Sequence, residues 1–167
     1  MNPILKLPDE LIAMLLKITE SVLKQQEWQF YPLEDSSLRI DIDGQSARWI
    51  TLVKCIDEYQ QLLIYSICPN KTPEEKFLQI QEFLTRANFG LKFGNFEFDY
   101  DDGEIRFKTS VQFEGDFDFM PMIESCLSLN IATFDRYLSG ILQVLFTDIS
   151  PKEVISIIES PSDISIN

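Results

Sequence analysis

Four carboxylates crowd one short stretch of this chain: Asp99, Asp101, Asp102 and Glu104. Oxygen donors packed into a turn suit a hard cation such as calcium, and the spacing resembles the start of an EF-hand loop. No Glu follows at the twelfth position, however, and the flanking segments read as strands instead of helices. A solvated hairpin tip accounts for the cluster without a metal. A second acidic group, Glu114, Asp116 and Asp118, fits the preference for negative charge at a helix N-terminus. Phe93-Gly94-Asn95 is no phosphate loop, because it lacks partner glycines and a following Lys-Ser/Thr pair. The chain has no histidine, which removes His-based acid–base catalysis, Ser-His and Cys-His pairs and imidazole ligation together. Cys55, Cys68 and Cys126 lie far apart in apolar surroundings without CxxC spacing, and read as reduced, buried thiols of a cytosolic protein. The sequence therefore assigns no catalytic, cofactor-binding or metal-binding residue, and an enzyme reading has nothing to name.

Composition narrows the partners. Lys and Arg number 14 against 27 Asp and Glu, a net charge of −13. Phosphate backbones and anionic membrane surfaces repel such a protein, and no basic cluster longer than two residues offsets this. No cleavable apolar run opens the sequence, and no stretch approaches the ~20 apolar residues that span a bilayer. The expectation is a cytoplasmic protein with no nucleic acid or membrane partner. A chain of 167 residues suits one domain, which buries roughly 70% of its unfolded surface without disulfides or metals.

The elements that would position any site follow from periodicity. Leu91 to Phe113 reads as a β-hairpin, with Asp102-Gly103 as a two-residue turn. That turn pairs Tyr100 with Ile105, Phe98 with Phe107 and Phe96 with Thr109. It sets Asp99 against Arg106 and Glu97 against Lys108 on the other face. A bulge at Gly94-Asn95 would return Phe93 to Val111 and Leu91 to Phe113. Pro8 opens a helix to about Gln26 with a wide stripe of Leu11, Ile12, Leu15, Leu16, Ile18, Val22 and Leu23. Trp28 to Pro32 is a connector with strand character. A half-buried strand carries Leu38, Ile40 and Ile42, and two more run over about 48–56 and 60–68, with the register of the turn at Asp57-Glu58 left open. Thr72-Pro73-Glu74-Glu75 is a capping box for a helix that ends at Gly90, read as a left-handed terminator. Asp118 caps a long helix from about Phe119 to Phe146, with Met122, Ile123, Cys126, Leu127, Ile131, Phe134, Leu138, Ile141, Leu142 and Leu145 inward. Ser150-Pro151-Lys152-Glu153 caps a short last helix.

The two central strands are apolar on both faces. Trp49, Val53, Cys55, Leu62 and Ile64 point one way; Ile50, Leu52, Leu63, Tyr65 and Ile67 point the other. Helices on one side of an antiparallel sheet cover only one set. The second set is the candidate protein interface, for a second copy or a client, unless the helix that begins at Pro73 lies across it.

The order helix, three strands, helix, two strands, helix resembles the YbjN family of bacterial sensory transduction regulators, whose fold is like that of type III secretion chaperones. The resemblance is carried by WITLVKCID, QQLLIYSICP, TPEEKFLQIQEFLTRANFGLKFGNFEFD, the DDGEIRFKTSV hairpin and the acidic entry to the long helix. It covers about Trp28 to Phe146; the extra capped C-terminal helix departs from it. It implies an α+β fold with an antiparallel sheet of about five strands, as a single domain over 1–167 with a core at about 8–147 and an appended helix and tail at 148–167. It further implies a non-enzymatic, cytosolic, dimeric protein that binds proteins as a chaperone-like or regulatory adaptor. The alternative is a module that binds a small ligand in a pocket between sheet and helix.

Overall fold

The structure is a computed structural model that describes residues 9–56, 61–113 and 118–160, with side chains from Ile12 onward. Pro8, Leu11 as a side chain, the Asp57-Glu58 turn and the pair Glu114 and Asp116 fall outside these limits.

The first helix, α1 (Asp9–Gln25), buries Leu15, Val22 and Leu23 and half-buries Ile12, Leu16 and Ile18, the stripe its spacing predicts. Six antiparallel strands follow in two groups: β1 (Phe30–Leu33), β2 (Ser37–Asp43), β3 (Arg48–Ile56) and β4 (Gln61–Ile67), then β5 (Asn95–Phe98) and β6 (Ile105–Gln112). Their order across the sheet is β1-β2-β3-β4-β6-β5. The count is one above expectation because the Trp28–Pro32 connector becomes an edge strand. Phe30 pairs with Ile40 there and Pro32 with Leu38, and an edge is where a residue without an N–H is tolerated.

Between the strand groups lies α2 (Phe77–Gly90), and after them α3 (Met120–Phe146) and α4 (Pro151–Glu159). Ser150 Oγ accepts from Glu153 N across 3.3 Å, as its capping box requires. Thr72 does not cap α2: that helix is entered through a 3₁₀ turn at Glu74–Lys76 with Pro73 at the cap. Thr72 instead turns its backbone N–H to Gly103 O at 2.8 Å, and its buried Oγ1 has no protein partner. Gly90 is the last helical residue and is not left-handed; among the described residues the positive-φ glycines are Gly94 and Gly103. Asp118 does not occupy the cap of α3, which is Phe119, but sits one position before it and accepts from Met120 N at 3.1 Å. The α3 stripe departs from expectation at four positions. Met122 is exposed, while Asn130, Tyr137 and Val144 are buried.

The hairpin corrects the sequence reading most. Phe96 pairs with Phe107, Phe98 with Ile105, Glu97 with Arg106 and Asn95 with Lys108, two residues from the predicted register. A two-residue type I′ turn needs positive φ at both central positions, and Gly103 (φ 74°) has it but Asp102 does not. The chain closes a longer loop instead: Asp99 N donates to Glu104 O and Gly103 N to Asp99 O, each at 2.9 Å. A shift of two keeps side-chain parity, so the greasy and charged faces are those expected. The bulge does not form either. β5 starts at Asn95, and Gly94 (φ 71°) turns the chain out of the sheet against Lys108 O, where a Cβ would stand 2.6 Å away.

Candidate functional site: the helix-free face of the sheet

All the described helices lie on one side of the sheet. The α3 helix packs on β4 and β6, α1 reaches β3, and α2 flanks β5. Trp49 meets Phe134 edge-on at 5.2 Å, and Phe96 meets both Phe107 at 4.8 Å and Tyr137 at 5.6 Å. Asn88 on α2 brackets Phe96, accepting from its N–H at 2.7 Å and donating to its carbonyl at 3.1 Å, which blocks the β5 edge.

At the centre of this layer runs a polar chain that the apolar pattern hides. Trp49 Nε1 donates to Thr51 Oγ1 and Ser66 Oγ at 3.1 Å each. Ser66 Oγ donates to Asn130 Oδ1 at 2.7 Å, so the 2.8 Å contact between Thr51 and Ser66 must have Thr51 as donor. Asn130 Nδ2 lies 3.2 Å from Ile64 O, 3.3 Å from Phe107 O and 3.1 Å from Thr109 Oγ1. Cys126 Sγ closes the chain on Thr109 Oγ1 at 3.3 Å. Thr51, Ser66, Thr109 and Asn130 are buried. Each polar group here is held by protein neighbours. Burial also pushes the Cys55 and Cys68 thiols up to about 11 and raises Cys126. The three thiols are free and protonated near neutrality.

The face away from the helices carries the predicted set. Ile50 pairs with Ile67 and Leu52 with Tyr65 across β3 and β4, and Leu63 stands opposite Lys54. All five residues are half-buried, because neighbouring side chains on the same face shield one another. α2 does not lie across them. Residues from β1 to β6 bound a trough of about 470 Å³: Leu33 and Asp35 form one wall, Glu104 and Arg106 the other, and Leu52, Leu63, Tyr65 and Ile67 the floor. Ile50, the partner of Ile67, lies at its end.

Charge frames this floor without dominating it. Arg39 pairs with Asp41 at 2.9 Å and Lys54 with Asp35 at 3.1 Å. Glu97 takes both Arg106, at 2.7 Å, and Lys108. Glu97 is partly desolvated, which alone would raise its pKa, but the two cations hold it below the usual carboxylate value. The Arg106 guanidinium also stacks over the Tyr65 ring at 4.6 Å. Four acidic residues (Asp35, Asp41, Glu97, Glu104) and four basic ones (Arg39, Lys54, Arg106, Lys108) cancel here, so the whole −13 resides elsewhere on the chain. Sequence reasoning found the apolar floor through strand parity. It missed the walls, because the β1 wall comes from a segment read as a connector.

The acidic turn is spent on its own loop. Asp99 Oδ1 accepts from Asp101 N at 2.8 Å, Asp102 Oδ1 from Glu104 N at 2.9 Å, and the second Asp102 oxygen pairs with Lys71.

No protein-family model and no curated protein sequence matches this chain. Solved structures do. The ExsC-ExsE complex superposes with a TM-score of 0.56 at 14% identity, over 78% of this chain and 96% of that one. YbjN from E. coli superposes with a TM-score of 0.53 at 10% identity, over 75% and 92% of the two chains. The fold is thus like that of YbjN and of the ExsC-ExsE structure, the likeness that the order of elements implied. No described helix is long and apolar enough to cross a membrane.

Proposed function

We propose that this protein is a non-enzymatic, cytosolic protein-binding protein, a chaperone-like or regulatory adaptor that holds a partner protein in the trough on its helix-free sheet face. The observation that carries the proposal is the trough itself: an apolar floor of Leu52, Leu63, Tyr65 and Ile67 between charged walls, left uncovered by the described helices. An apolar centre with a polar rim is the anatomy of a protein interface. Its local neutrality lets a partner approach where the acidic remainder does not repel it.

Shape selects the occupant. A trough needs a convex ridge, and an amphipathic helix about 10 Å across supplies one. A second copy would present the same concavity and leave the middle empty, so the partner at this face is a different protein, bound through an apolar helical stripe. The ExsC-ExsE structure, a complex of two proteins on a like fold, supports the reading.

Capture from a lysate of the source cell, compared between wild type and Leu52→Glu or Leu63→Glu, tests this. The expected result is a partner retained by wild type, lost from both variants, and bound again when purified and titrated. Equal retention by wild type and variants would remove the trough from the interface.

A further inference from the structure

Strand register fixes the course of the trough. On the helix-free face Leu33 of β1, Ser37 of β2, Lys54 of β3 and Leu63 of β4 stand in one row across the sheet. Ile67 lies four residues further along β4, in the row that continues through Arg106 to Glu97. The lining therefore follows a diagonal, from Leu33 at one corner through Leu52 and Tyr65 to Ile67 and Arg106 at the other. Three strand spacings of about 4.8 Å and four residues at about 3.4 Å set Leu33 roughly 20 Å from Ile67, at about 45° to the strands. A twisted sheet is a saddle, hollow along one diagonal and raised along the other, which gives the trough this course. Other courses suit an apolar stripe less well. A helix straight across the sheet would set it on Arg39 and Lys108, the row neighbours of Leu52 and Tyr65. The opposite diagonal would set it on Asp41 and on Ser110, which stands beside Leu63. A helix along β4 would leave the Leu33 corner in water.

Charge gives the course a direction. Glu104 and Arg106 also border an adjoining hollow of about 310 Å³, together with Glu97 and Asp99. Glu97 is taken by Arg106 and Lys108. Among the described residues Asp99 makes no ion pair, and Glu104 makes only a loose one, 3.9 Å from Arg106. At the Leu33 corner, by contrast, Lys54 matches Asp35 at 3.1 Å. The excess of acid thus sits at the Arg106 end, where it favours a basic side chain and the N-terminus of a helix, the positive end of its dipole. Given the partner-binding role of the trough, on which this inference rests, we propose that the partner's helix lies along the diagonal. Its N-terminal turn carries a basic residue to Glu104 and Asp99, and its last turn rests on Leu33. A length of about 20 Å is ~13 helical residues, so the apolar positions of the partner fall at i, i+4, i+7 and i+11.

Two fluorescein-labelled peptides serve as probes, each an alanine-based helix of about 14 residues with leucines at i, i+4, i+7 and i+11. One carries two lysines in its first turn and the other carries them in its last. Fluorescence anisotropy reads their affinities. The first should bind wild type at least roughly three-fold more tightly than the second, and Asp99→Asn combined with Glu104→Gln should abolish that difference. Leu33→Glu should weaken the first peptide at least roughly ten-fold, because it sets a carboxylate against the apolar stripe. Ser110→Glu, beside the floor but off the diagonal, should change its affinity less than about two-fold. Leu33 and Ser110 are both exposed, so both variants should fold as wild type by circular dichroism. If neither peptide binds wild type, or if Leu52→Glu binds as wild type does, the partner-binding role of the trough falls and the diagonal with it. If Leu52→Glu weakens binding but Leu33→Glu does not, or Ser110→Glu weakens it as much, the trough holds its helix on another course and the diagonal is wrong. Equal affinity of the two peptides would overturn the direction assigned to the helix.

Discussion

Ser66 Oγ donates to Asn130 Oδ1 across 2.7 Å, tying α3 to the middle of the sheet through a hydrogen bond buried from solvent. The same amide reaches Ile64 O, Phe107 O and Thr109 Oγ1, so one side chain spans β4 and β6. An apolar contact could slide by a residue at little cost, whereas this one fixes the register of helix on sheet.

Asn130→Leu should therefore destabilise the protein by about 2–4 kcal/mol despite its greater hydrophobicity, because it strands the Ser66 hydroxyl and the Thr109 oxygen in a dry layer. Ser66→Ala should also destabilise, because Asn130 Oδ1 then loses its donor in the same dry layer, while Trp49 Nε1 keeps Thr51. Urea unfolding followed by tryptophan fluorescence reads both. A stabilised Asn130→Leu variant would show that the polar chain contributes nothing net.

Glycine contrasts separate the two turns. A Cβ on Gly103 would stand 2.4 Å from Thr72 O, and its φ of 74° adds left-handed strain, so Gly103→Ala should lose at least about 2 kcal/mol. Gly90→Ala meets only Glu159 Oε1 at 3.6 Å at the end of a helix, and should be neutral or gain up to about 1 kcal/mol. Thermal unfolding of the pair should give shifts of different size, with a clear loss at Gly103.

Much of this fold is legible in the sequence because parity survives error. The observed hairpin register differs from the expected one by two residues, yet Phe96, Phe107 and Val111 still face the core and Glu97 still meets Lys108. Turn type was not legible, because Asp-Gly suits both the short turn and the longer loop, and Thr72 O against Gly103 decides between them through a contact distant in sequence. The Thr72 capping box failed for the same reason: its backbone N–H is claimed by Gly103 O. Asn130 went unnoticed because a polar residue in an apolar stripe reads as a break in the pattern. Only the third dimension supplies its partners, Ser66 and Thr109. The trough floor was readable and its walls were not, since β1 is held by pairing with β2 instead of by an apolar pattern of its own.

Alkali should unfold the protein before acid chemistry at any single site explains it. Burial, helped by the hydrogen bond to Glu159, pushes Tyr137 up to about 12, and burial pushes Cys55 and Cys68 up to about 11. Each raised group contributes stability that is complete below its unfolded value, ~10 for Tyr and ~8.5 for Cys, and that is lost as pH rises through the folded value. Stability should fall from about pH 9 upward, and thiol reagents should label the native protein slowly until that fall begins. Glu97 gives the opposite sign. Its lowered value contributes stability above ~4.3 that is lost as pH falls below it, so Glu97→Gln should flatten the acid limb and leave the alkaline limb unchanged.

Adjacent residues on β3 provide the sharpest test of the sheet's two faces. Val53 is buried against the helix layer, while Leu52 is half-buried on the trough floor. Val53→Glu places a carboxylate where no cation or water awaits it, and the fold should be lost or its carboxyl forced to stay protonated. Leu52→Glu places the same group beside solvent and within a face that already holds Arg39, its paired neighbour on β2, so the loss should stay within about 1 kcal/mol. Both substitutions add one negative charge to the same strand, which removes net charge as an explanation of any difference. Circular dichroism and urea midpoints should show a folded Leu52→Glu and an unfolded or acid-dependent Val53→Glu. If Leu52→Glu unfolded the protein as readily, the floor would be core, and the partner-binding role proposed for it would fail with it.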